Sequence, residues 1–336
     1  MIPAPDPAFA AEVRAAIDGK TKPPGSLGRI ETLAERLALL LGTVEPRLGT
    51  CSLTIFAADH GIVARGVSKW PQAITAQMAL NFLAGGAAAN AFAGALGVSL
   101  RVVDAGIAAP PDHPGLIDRR MGAGTADSAS GPAMSAETRD AALAAGRALA
   151  LEDPADALAF GEMGIGNTAA AALLAAKLLD LPVEELAGPG AGLDAEGLAR
   201  KRAILAEAAA RTGPLTASEA LAEYGGFEIA MMTGALLGAA EARKPALVDG
   251  FIAGAAALAA ERVAPGAARA FVHAHRSAEP GHAAILAALD ADPLLDLGMR
   301  LGEGTGALLA WPLVKSAAAM LREMASFEAA GVSGPS

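Results

Sequence analysis

The feature that most constrains the fold is a series of short, continuously apolar runs, each followed closely by a polar residue and usually a glycine. The runs occupy residues 52–58, 100–103, 157–160, 246–248 and 270–274, and the polar residues after them are Asp59, Asp104, Glu162, Asp249 and His275. Alanine- and leucine-rich segments with a helical pattern separate the runs. Continuous apolar strands joined by helices are typical of a parallel sheet covered on both faces. The sequence therefore predicts an α/β fold with a mostly parallel, Rossmann-like sheet, and ligands binding at the carboxyl ends of its strands.

The two ends of the chain differ from this middle part. Residues 7–42 have a helical pattern, with amphipathic spacing in residues 29–37, and residues 312–329 are predicted to form another helix. The pattern alone does not decide whether the two ends pack together as a small helical domain. Three prolines and a polar stretch within residues 110–132 predict a long surface excursion.

Composition and charge exclude several classes of function. The chain has 336 residues, of which 26 are basic and 36 acidic, and it contains no basic run, which argues against a nucleic-acid partner. The single Cys51 excludes an internal disulfide and a cysteine-based metal site. The N-terminus has no basic start followed by an apolar segment, and the apolar stretch 82–98 contains several glycines and Asn90. We therefore expect a cytoplasmic protein that does not cross a membrane.

One motif occurs twice and points to chemistry. Residues 161–168 (GEMGIGNT) run directly into a predicted helix, and residues 302–306 (GEGTG) do the same near the C-terminus. Each motif places a carboxylate, Glu162 or Glu303, beside a glycine-rich turn at the start of a helix. The backbone N–H groups of such a turn bind phosphate well, and the carboxylate can accept a proton or stabilise positive charge. The pair predicts chemistry on a phosphorylated small molecule.

The remaining polar motifs do not indicate a metal or a cofactor. Residues 59–61 (DHG) could be a metal site, an acid–base pair or an ordinary turn, but the five histidines lack zinc-ligand spacing. The strand ends at Asp104 and Asp249 carry single acids, whereas an enzyme using pyrophosphorylated ribose would normally show paired acids for its metal. We therefore predict that neither a metal nor another cofactor takes part.

Two further loops could contact an anion. The loop between His275 and His282 contains Arg276 and Ser277, which could bind an anion or could only cap the following helix. Residues 188–192 (GPGAG) could form a second anion-binding turn or a plain helix start. The pattern leaves both pairs of alternatives open.

Four motifs in order carry a family resemblance. They are residues 22–28 (KPPGSLG), residues 58–72 with ADHG, GVS and PQ, and the two motifs at 161–168 and 302–306. Together they resemble the nicotinate-nucleotide–dimethylbenzimidazole phosphoribosyltransferases of the lower-ligand branch of cobalamin synthesis, and the resemblance spans residues 20 to 330.

The resemblance implies a reaction that suits these residues. Nicotinate mononucleotide would give its ribose phosphate to 5,6-dimethylbenzimidazole, producing α-ribazole phosphate and nicotinate. Glu303 matches the carboxylate that removes the proton from the attacking base, and Glu162 matches a second carboxylate near the ribose. The leaving group is already a pyridinium, so its departure needs no metal. The resemblance also implies a homodimer, a large α/β domain of residues 48–311, and a small helical domain of residues 1–47 and 312–336.

The resemblance also suggests which residues bind the substrates. Ser68, Gln77 and Met163 would contact the base. The phosphate would meet the backbone of residues 164–168 and 190–192 and the cation of Lys201, so that the candidate contacts are Gly164, Gly166, Asn167, Thr168, Gly190, Gly192, Lys201 and Ser277. Two rival functions remain: a related transferase acting on adenine or a phenol, and a non-catalytic nucleotide-binding protein, which would have no need of Glu303.

Overall fold

A computed structural model describes residues 2–333, whose centre is a six-stranded sheet with all neighbouring strands parallel. The strands are β1 (Cys51–Ala58), β2 (Ser99–Gly106), β3 (Leu116–Asp118), β4 (Ala157–Met163), β5 (Ala246–Val248) and β6 (Phe271–His273). The predicted fold class and the five predicted strands are confirmed. The short edge strand β3 was not predicted from the sequence.

Helices cover both faces of this sheet. They are α1 (Pro7–Asp18), α2 (Arg29–Leu41), α3 (Ile74–Leu83), α4 (Ala88–Leu96), α5 (Ala136–Glu152), α6 (Asn167–Leu179), α7 (Val183–Leu186), α8 (Ala195–Ala210), α9 (Ala217–Tyr224), α10 (Phe227–Glu241), α11 (Phe251–Val263), α12 (Gly281–Ala288), α13 (Thr305–Glu323) and α14 (Phe327–Ala330). Side chains of Asp6, Ser135, Asp194 and Thr216 cap the helices that follow them. Helices α6 and α13 instead begin after glycines with positive φ, Gly166 and Gly304, which have no side chain of their own to cap the helix.

The strand order places a crevice at the middle of the sheet. The order is β3-β2-β1-β4-β5-β6, so the chain builds outward from β1 in one direction and from β4 in the other. Ligands of doubly wound sheets bind where the order reverses. Phe56 pairs with Glu162 and Ala57 with Met163 across β1 and β4. The register therefore brings the carboxyl end of β1 level with the first glycine motif.

Alternate residues of the central strands pack into two different cores. On β1, Phe56 and Ala58 belong to the apolar cluster on one face, whereas Leu53 and Ile55 belong to the cluster on the other. All eight residues of β1 are buried. This burial on both faces explains why the sequence of the strand is continuously apolar rather than alternating.

The two ends of the chain meet, a point that the helical patterns alone left open. The backbone N–H of Thr21 donates to the carbonyl of Ala325 (3.1 Å), and that of Phe327 donates to Gly19 (3.1 Å). The apolar side chains of α1, α2 and α13 belong to the same cluster as one face of the sheet. A separate helical domain stays a prediction, and its residues 1 and 334–336 lie outside the described part of the chain. Helix α13 runs without a break from Thr305 to Glu323, so the predicted boundary at residue 312 lies inside it.

Part of the predicted surface excursion belongs to the sheet region. Strand β3 lies inside residues 110–132 and extends the sheet by one strand beside β2. Beyond it, the N–H of Gly124 donates to Gly106 (3.0 Å) and that of Thr125 to Asp59 (3.0 Å). Within residues 110–132 only Ser128 is buried, so the segment lies at the surface as predicted, although its backbone groups hydrogen-bond across the carboxyl ends of β1 and β2.

One apolar stretch of the chain is largely exposed. Residues Ile74–Leu96 are long and apolar enough to cross a membrane by length and composition, and only 28% of their most apolar window is buried. In the structure the stretch is two helices, α3 and α4, separated by residues 84–87. It therefore presents an apolar surface, with Leu80 43% exposed.

Candidate active site

A cavity of about 830 Å³ lies at the carboxyl edge of the sheet beside the crevice between β1 and β4. A smaller pocket of about 50 Å³ adjoins it and shares the backbone around Gly164 and Gly190. The larger cavity is lined by the predicted site residues Glu162, Met163, Gly164, Asn167, Thr168, Gly190, Gly192, Ser277 and Glu303. The smaller pocket is lined by Ser68, Gly166 and Lys201, besides the shared residues. The structure thus brings together residues that are far apart in the sequence.

The two glycine motifs pack directly against each other. A Cβ atom on Gly161 would lie 2.5 Å from the carbonyl carbon of Glu303 and 2.6 Å from the nitrogen of Gly304. A Cβ atom on Gly302 would lie 2.2 Å from Oε1 of Glu162. Real Cβ atoms do not approach other atoms so closely, so each motif needs a glycine where the other touches it. This contact fixes the two carboxylates relative to each other.

Glu162 lies near the end of β4 and is held by the helix that follows. Its side chain is 7% exposed and accepts a hydrogen bond from Nδ2 of Asn167, in the first turn of α6. Burial raises the pKa of Glu162 well above its usual value, and the charge of Asp249 raises it further, whereas the Asn167 hydrogen bond opposes the shift. A positive charge bound beside Glu162 would stabilise the ionised carboxylate and offset the effect of burial.

Glu303 has a backbone conformation that is rare for a residue with a side chain. Its φ angle is +63°, in the left-handed region, which costs a non-glycine residue about 1–2 kcal/mol. Such strain is found most often at functional sites. Burial raises the pKa of Glu303, the N–H of Ala89 at the start of α4 opposes that shift, and Asp249 adds to it. Its Oε2 atom is buried and has no hydrogen-bond partner within residues 2–333, so this oxygen is available to a ligand.

Asp249 holds the second motif in place from the neighbouring strand. It follows β5, and its two carboxylate oxygens accept hydrogen bonds from the N–H groups of Gly304 (3.2 Å) and Ala307 (3.0 Å). His275, which follows β6, lies 3.7 Å away. Burial raises the pKa of Asp249, and the His275 charge opposes the shift. Asp249 therefore caps α13 and positions the strained turn at Glu303.

The smaller pocket contains a buried lysine, Lys201, between the start of α6 and the loop at Gly188. Nζ of Lys201 donates to Oγ1 of Thr168 (2.9 Å) and to the carbonyl of Gly188 (3.0 Å). Burial lowers the pKa of Lys201 to about 8, against the opposing charge of Glu279. In the described part of the chain the N–H groups of Gly166 and Thr168 have no acceptor. A phosphate is the kind of ligand that this arrangement suits.

Of the three predicted base contacts, Met163 lines the large cavity, but Ser68 and Gln77 do not. Ser68 lines the smaller pocket, where Oγ accepts the N–H of Trp70 (3.1 Å). Gln77 lines neither cavity and is exposed on α3. The residues of α3 that line the cavity are Ile74 and Met78, which share a face because they lie four positions apart.

Sequence reasoning missed several lining residues. Trp70, Phe251, Arg300 and Leu301 also line the large cavity, and the indole N–H of Trp70 donates to the carbonyl of Ala191 (2.9 Å). An exposed tryptophan just before the PQ motif was the one signal in the sequence that could have indicated a binding surface. Phe251 is the first residue of α11, and Arg300 and Leu301 lie in a loop that has no recognisable pattern.

The motif Asp59-His60-Gly61 forms internal bonds. Oδ2 of Asp59 accepts the N–H of Ala108 (2.9 Å), and Nε2 of His60 lies 2.8 Å from Oε1 of Glu228. In residues 2–333 no three or more His, Cys, Asp and Glu side chains form a cluster that could hold a metal ion. His60 thus pairs with Glu228 of α10 and not with Asp59 of the same motif.

Comparison with known proteins identifies the class to which this fold and site belong. Residues 2–332 match the family described as Phosphoribosyltransferase. The chain is 56% identical to the nicotinate-nucleotide–dimethylbenzimidazole phosphoribosyltransferase of Ralstonia nicotianae, covering 98% of this chain and 95% of the relative. It is 53% identical to the protein of the same name from Variovorax paradoxus, with the same coverage. The crystal structure of CobT from Thermus thermophilus superposes with a TM-score of 0.94 at 49% identity, covering 98% of this chain and all of that one.

The protein is thus a phosphoribosyltransferase. It belongs to the family of nicotinate-nucleotide–dimethylbenzimidazole phosphoribosyltransferases. The resemblance found in the four sequence motifs is confirmed.

Proposed function

We propose that this enzyme transfers the 5-phosphoribosyl group of nicotinate mononucleotide to 5,6-dimethylbenzimidazole. The products are α-ribazole 5'-phosphate, for the nucleotide loop of cobalamin, and nicotinate. The observation that carries the proposal is the meeting of two carboxylates, Glu162 and Glu303, in one cavity beside an anion-binding turn. The names of the relatives supply the identity of the substrates.

The phosphate of the nucleotide binds at the start of α6. The N–H groups of Gly166 and Thr168, which have no acceptor in the described residues, and the ammonium of Lys201 converge there. The N-terminal end of the helix dipole adds to the attraction, and Gly190 and Gly192 border the same space. Ser277 also lines the large cavity and is a secondary candidate for a polar contact with the phosphate.

The base binds in the apolar part of the large cavity. Trp70, Ile74, Met78, Met163 and Leu301 line that part. Burying an apolar bicyclic ring there is favourable by about 25 cal/mol for each Å² of apolar surface removed from water. Glu303 faces the same cavity, and its buried Oε2 has no partner within residues 2–333, so it can accept the N–H of the ring.

Proton and electron balance then give Glu303 the role of general base. One imidazole nitrogen of the base attacks C1' of the ribose, and the bond from C1' to the pyridinium nitrogen breaks. The bonding pair goes to the pyridine ring, which leaves as neutral-ring nicotinate. The other imidazole nitrogen gives its proton to Glu303, so the product ring is uncharged. The leaving ring carries its positive charge from the start, and so its departure requires no metal.

Glu162 acts on the nucleotide. The carboxylate lies at the end of β4, next to the turn that binds phosphate, where the ribose must follow. Positive charge is present on the pyridinium in the substrate and builds up on C1' and the ring oxygen as the bond breaks. A buried carboxylate at short distance stabilises that charge.

Assembly and location are also proposed. The exposed apolar surface of α3 and α4 suits association with a second copy of the chain, which supports a homodimer. We further propose that the enzyme is cytoplasmic, where nucleotides are made, and that the two chain ends act as a small helical domain over one face of the sheet. Light scattering of the purified protein tests the dimer.

Product analysis tests the proposed reaction directly. The protein is incubated with nicotinate mononucleotide and, separately, with dimethylbenzimidazole, adenine and a phenol, and the products are identified by mass. Formation of α-ribazole phosphate with release of one equivalent of nicotinate is expected. Products with adenine or the phenol alone would indicate a related transferase, and binding of the nucleotide with no product would indicate a non-catalytic protein.

A further inference from the structure

A buried ion pair beside the active site has no role in the reaction described above. His60 follows β1, and Glu228 lies in the first turn of α10. Nε2 of His60 is 2.8 Å from Oε1 of Glu228, and the two side chains are 1% and 0% exposed. Buried ion pairs often add little to stability, because removing two charges from water offsets their attraction. Stability alone is therefore a weak explanation for this pair.

The pair packs against the turn that we propose binds phosphate. A Cβ atom on Gly164 would lie 3.2 Å from Nε2 of His60 and 3.4 Å from Oε1 of Glu228. A Cβ atom on Gly166 would lie 3.4 Å from Cβ of His60. Only the glycine backbone of the turn separates the two charged side chains from the space where the phosphate binds.

The histidine compensates a carboxylate that would otherwise oppose the substrate. Burial alone would lower the pKa of His60, but the charge and hydrogen bond of Glu228 outweigh burial and raise it, and the charge of Asp59 adds to the effect. The cationic form of His60 is therefore favoured. Oε2 of Glu228 has no partner within residues 2–333, so His60 is the only hydrogen-bonded cation that balances this carboxylate in the described structure.

The same carboxylate also acts on Glu162. Burial is the main cause of the raised pKa of Glu162, followed by the charge of Asp249 after β5. Glu228 on α10 and Glu303 before α13 raise it further, and the Asn167 hydrogen bond from α6 opposes them. An uncompensated Glu228 would thus face both the Glu162 carboxylate and an anionic ligand.

We propose that His60 is a positioning residue for the nucleotide: it neutralises the buried Glu228 carboxylate against the phosphate turn, so that the turn can accept an anion. The inference rests on the proposed function, because it takes the nucleotide phosphate as the anion. His60 does not touch the substrate. It acts through Glu228 and through the backbone of residues 164–166.

The test measures nucleotide binding in a double-mutant cycle. Binding of nicotinate mononucleotide to the full chain is followed by calorimetry between pH 6 and pH 9 for the wild type, His60→Gln, Glu228→Gln and the double variant. His60→Gln should weaken binding by about tenfold or more, because the buried Glu228 carboxylate is then left unpaired and opposes the anionic ligand. The loss should shrink as the pH rises, because His60 of the wild type then gives up its proton and no longer compensates Glu228. Glu228→Gln should bind within about threefold of the wild type, and the double variant should recover most of the loss.

A purely structural role gives a different pattern. If the pair only holds the turn together, both single variants should weaken binding alike, the double variant should be the weakest, and the loss should not depend on pH. This pattern would overturn the proposal. Thermal unfolding of each variant checks that it is folded. If His60→Gln does not fold, Glu228→Gln and the double variant can still be compared with the wild type, because neither leaves the Glu228 carboxylate unpaired.

A matched control lies on the same helix. Glu241 ends α10 and pairs with Arg147 at the surface, where both side chains are 50% exposed. Glu241→Gln should leave nucleotide binding unchanged. Because binding needs no turnover, a failure of Glu303 as general base would not affect this test, whereas a wild type that does not bind the nucleotide would overturn the proposed function instead.

Discussion

The two glycine motifs share a sequence pattern but hold their carboxylates in different ways. Glu162 lies on a regular strand and accepts a hydrogen bond from Asn167. Glu303 lies on a strained turn at φ +63°, and one of its buried oxygens has no partner in the described residues. Burial raises the pKa of both side chains. The first carboxylate is held in a fixed position, and the second is left open to a ligand.

This difference suits the two roles that we propose for the carboxylates, charge stabilisation by Glu162 and proton acceptance by Glu303. A carboxylate that stabilises a cation needs a fixed position, and its hydrogen bond to an amide provides one. A carboxylate that accepts a proton needs a free oxygen and a raised pKa, because a stronger base takes the proton more readily. We can test this division of roles by changing the carboxylates, the turn between them or the substrates. The expected effects on activity differ widely in size.

Removing the proton acceptor should have the largest effect. Glu303→Gln keeps the size of the side chain but cannot accept the proton of the base, so kcat should fall by about 10²–10⁴, the usual range for a lost general base. Nucleotide binding should stay close to that of the wild type, as measured by calorimetry. Glu162→Gln serves as the comparison, and retention of more than half of the wild-type kcat by Glu303→Gln would remove Glu303 from this role.

Displacing the strained turn without touching a carboxylate should have the next largest effect. The Cβ of Gly161→Ala would lie 2.5 Å from the backbone of Glu303, so the turn must move, and we expect kcat to fall by about tenfold or more, as is usual for small misplacements of catalytic groups. Gly94→Ala is the matched control, since its Cβ would meet no atom within 4 Å. Equal activity of the two variants would contradict the idea that Gly161 positions Glu303.

The pH dependence should distinguish the two carboxylates. A general base works only when it is deprotonated, and burial raises the pKa of Glu303, so kcat/KM should fall as the pH decreases through a value above that of an ordinary glutamate. Glu162→Gln should keep this acidic limb, and Glu303→Gln should lose it. The measurement is the pH profile of kcat/KM for the base at saturating nucleotide. An acidic limb that survives in Glu303→Gln would assign it to another group.

Changing the base should affect only the apolar end of the cavity. Benzimidazole without its two methyl groups should still react, with a loss of about 1 kcal/mol in binding for each methyl, and the KM for nicotinate mononucleotide should not change. Adenine should be a poorer acceptor because it is more polar, although the flexible thioethers of Met78 and Met163 give the pocket some adaptability. Competition between dimethylbenzimidazole and adenine at equal concentration measures the preference, and a preference for adenine would show that the assigned base is wrong.

Chelation should have the smallest effect. Because the pyridinium leaves without assistance, activity should be the same before and after exhaustive treatment with a chelator. The measurement is kcat in metal-free buffer with and without added magnesium or zinc. Loss of activity that either ion restores would mean that the leaving ring is expelled by a different route.

Much of the fold was predictable because burial on both faces leaves a clear mark in the sequence. Strands β1 and β4 are buried almost throughout, and their apolar runs predicted them where the structure has them. Strand β3 has only three residues and lies among prolines and glycines, so no apolar run marks it. Strand order was not predictable, since it depends on which helices cross which face of the sheet.

The site was predictable where it is built from local motifs. The turns around Glu162 and Glu303 carry their own glycines, and the structure brings both to one cavity. The wall formed by Trp70 and Leu301 comes from loops whose position depends on the whole fold. Gln77 lies outside the cavity for a geometric reason, because on α3 a shift of one residue turns the side chain by about 100°, away from the face that carries Met78.

The contact between Gly161 and Glu303 also has a consequence for how the enzyme is made. Glu162 and Lys201 leave the ribosome well before Glu303, and the strained turn has its position only once α13 has docked on Asp249. A nascent chain therefore carries the residues that we propose bind the nucleotide before it carries the proposed general base. Catalysis begins only when the last long helix is in place.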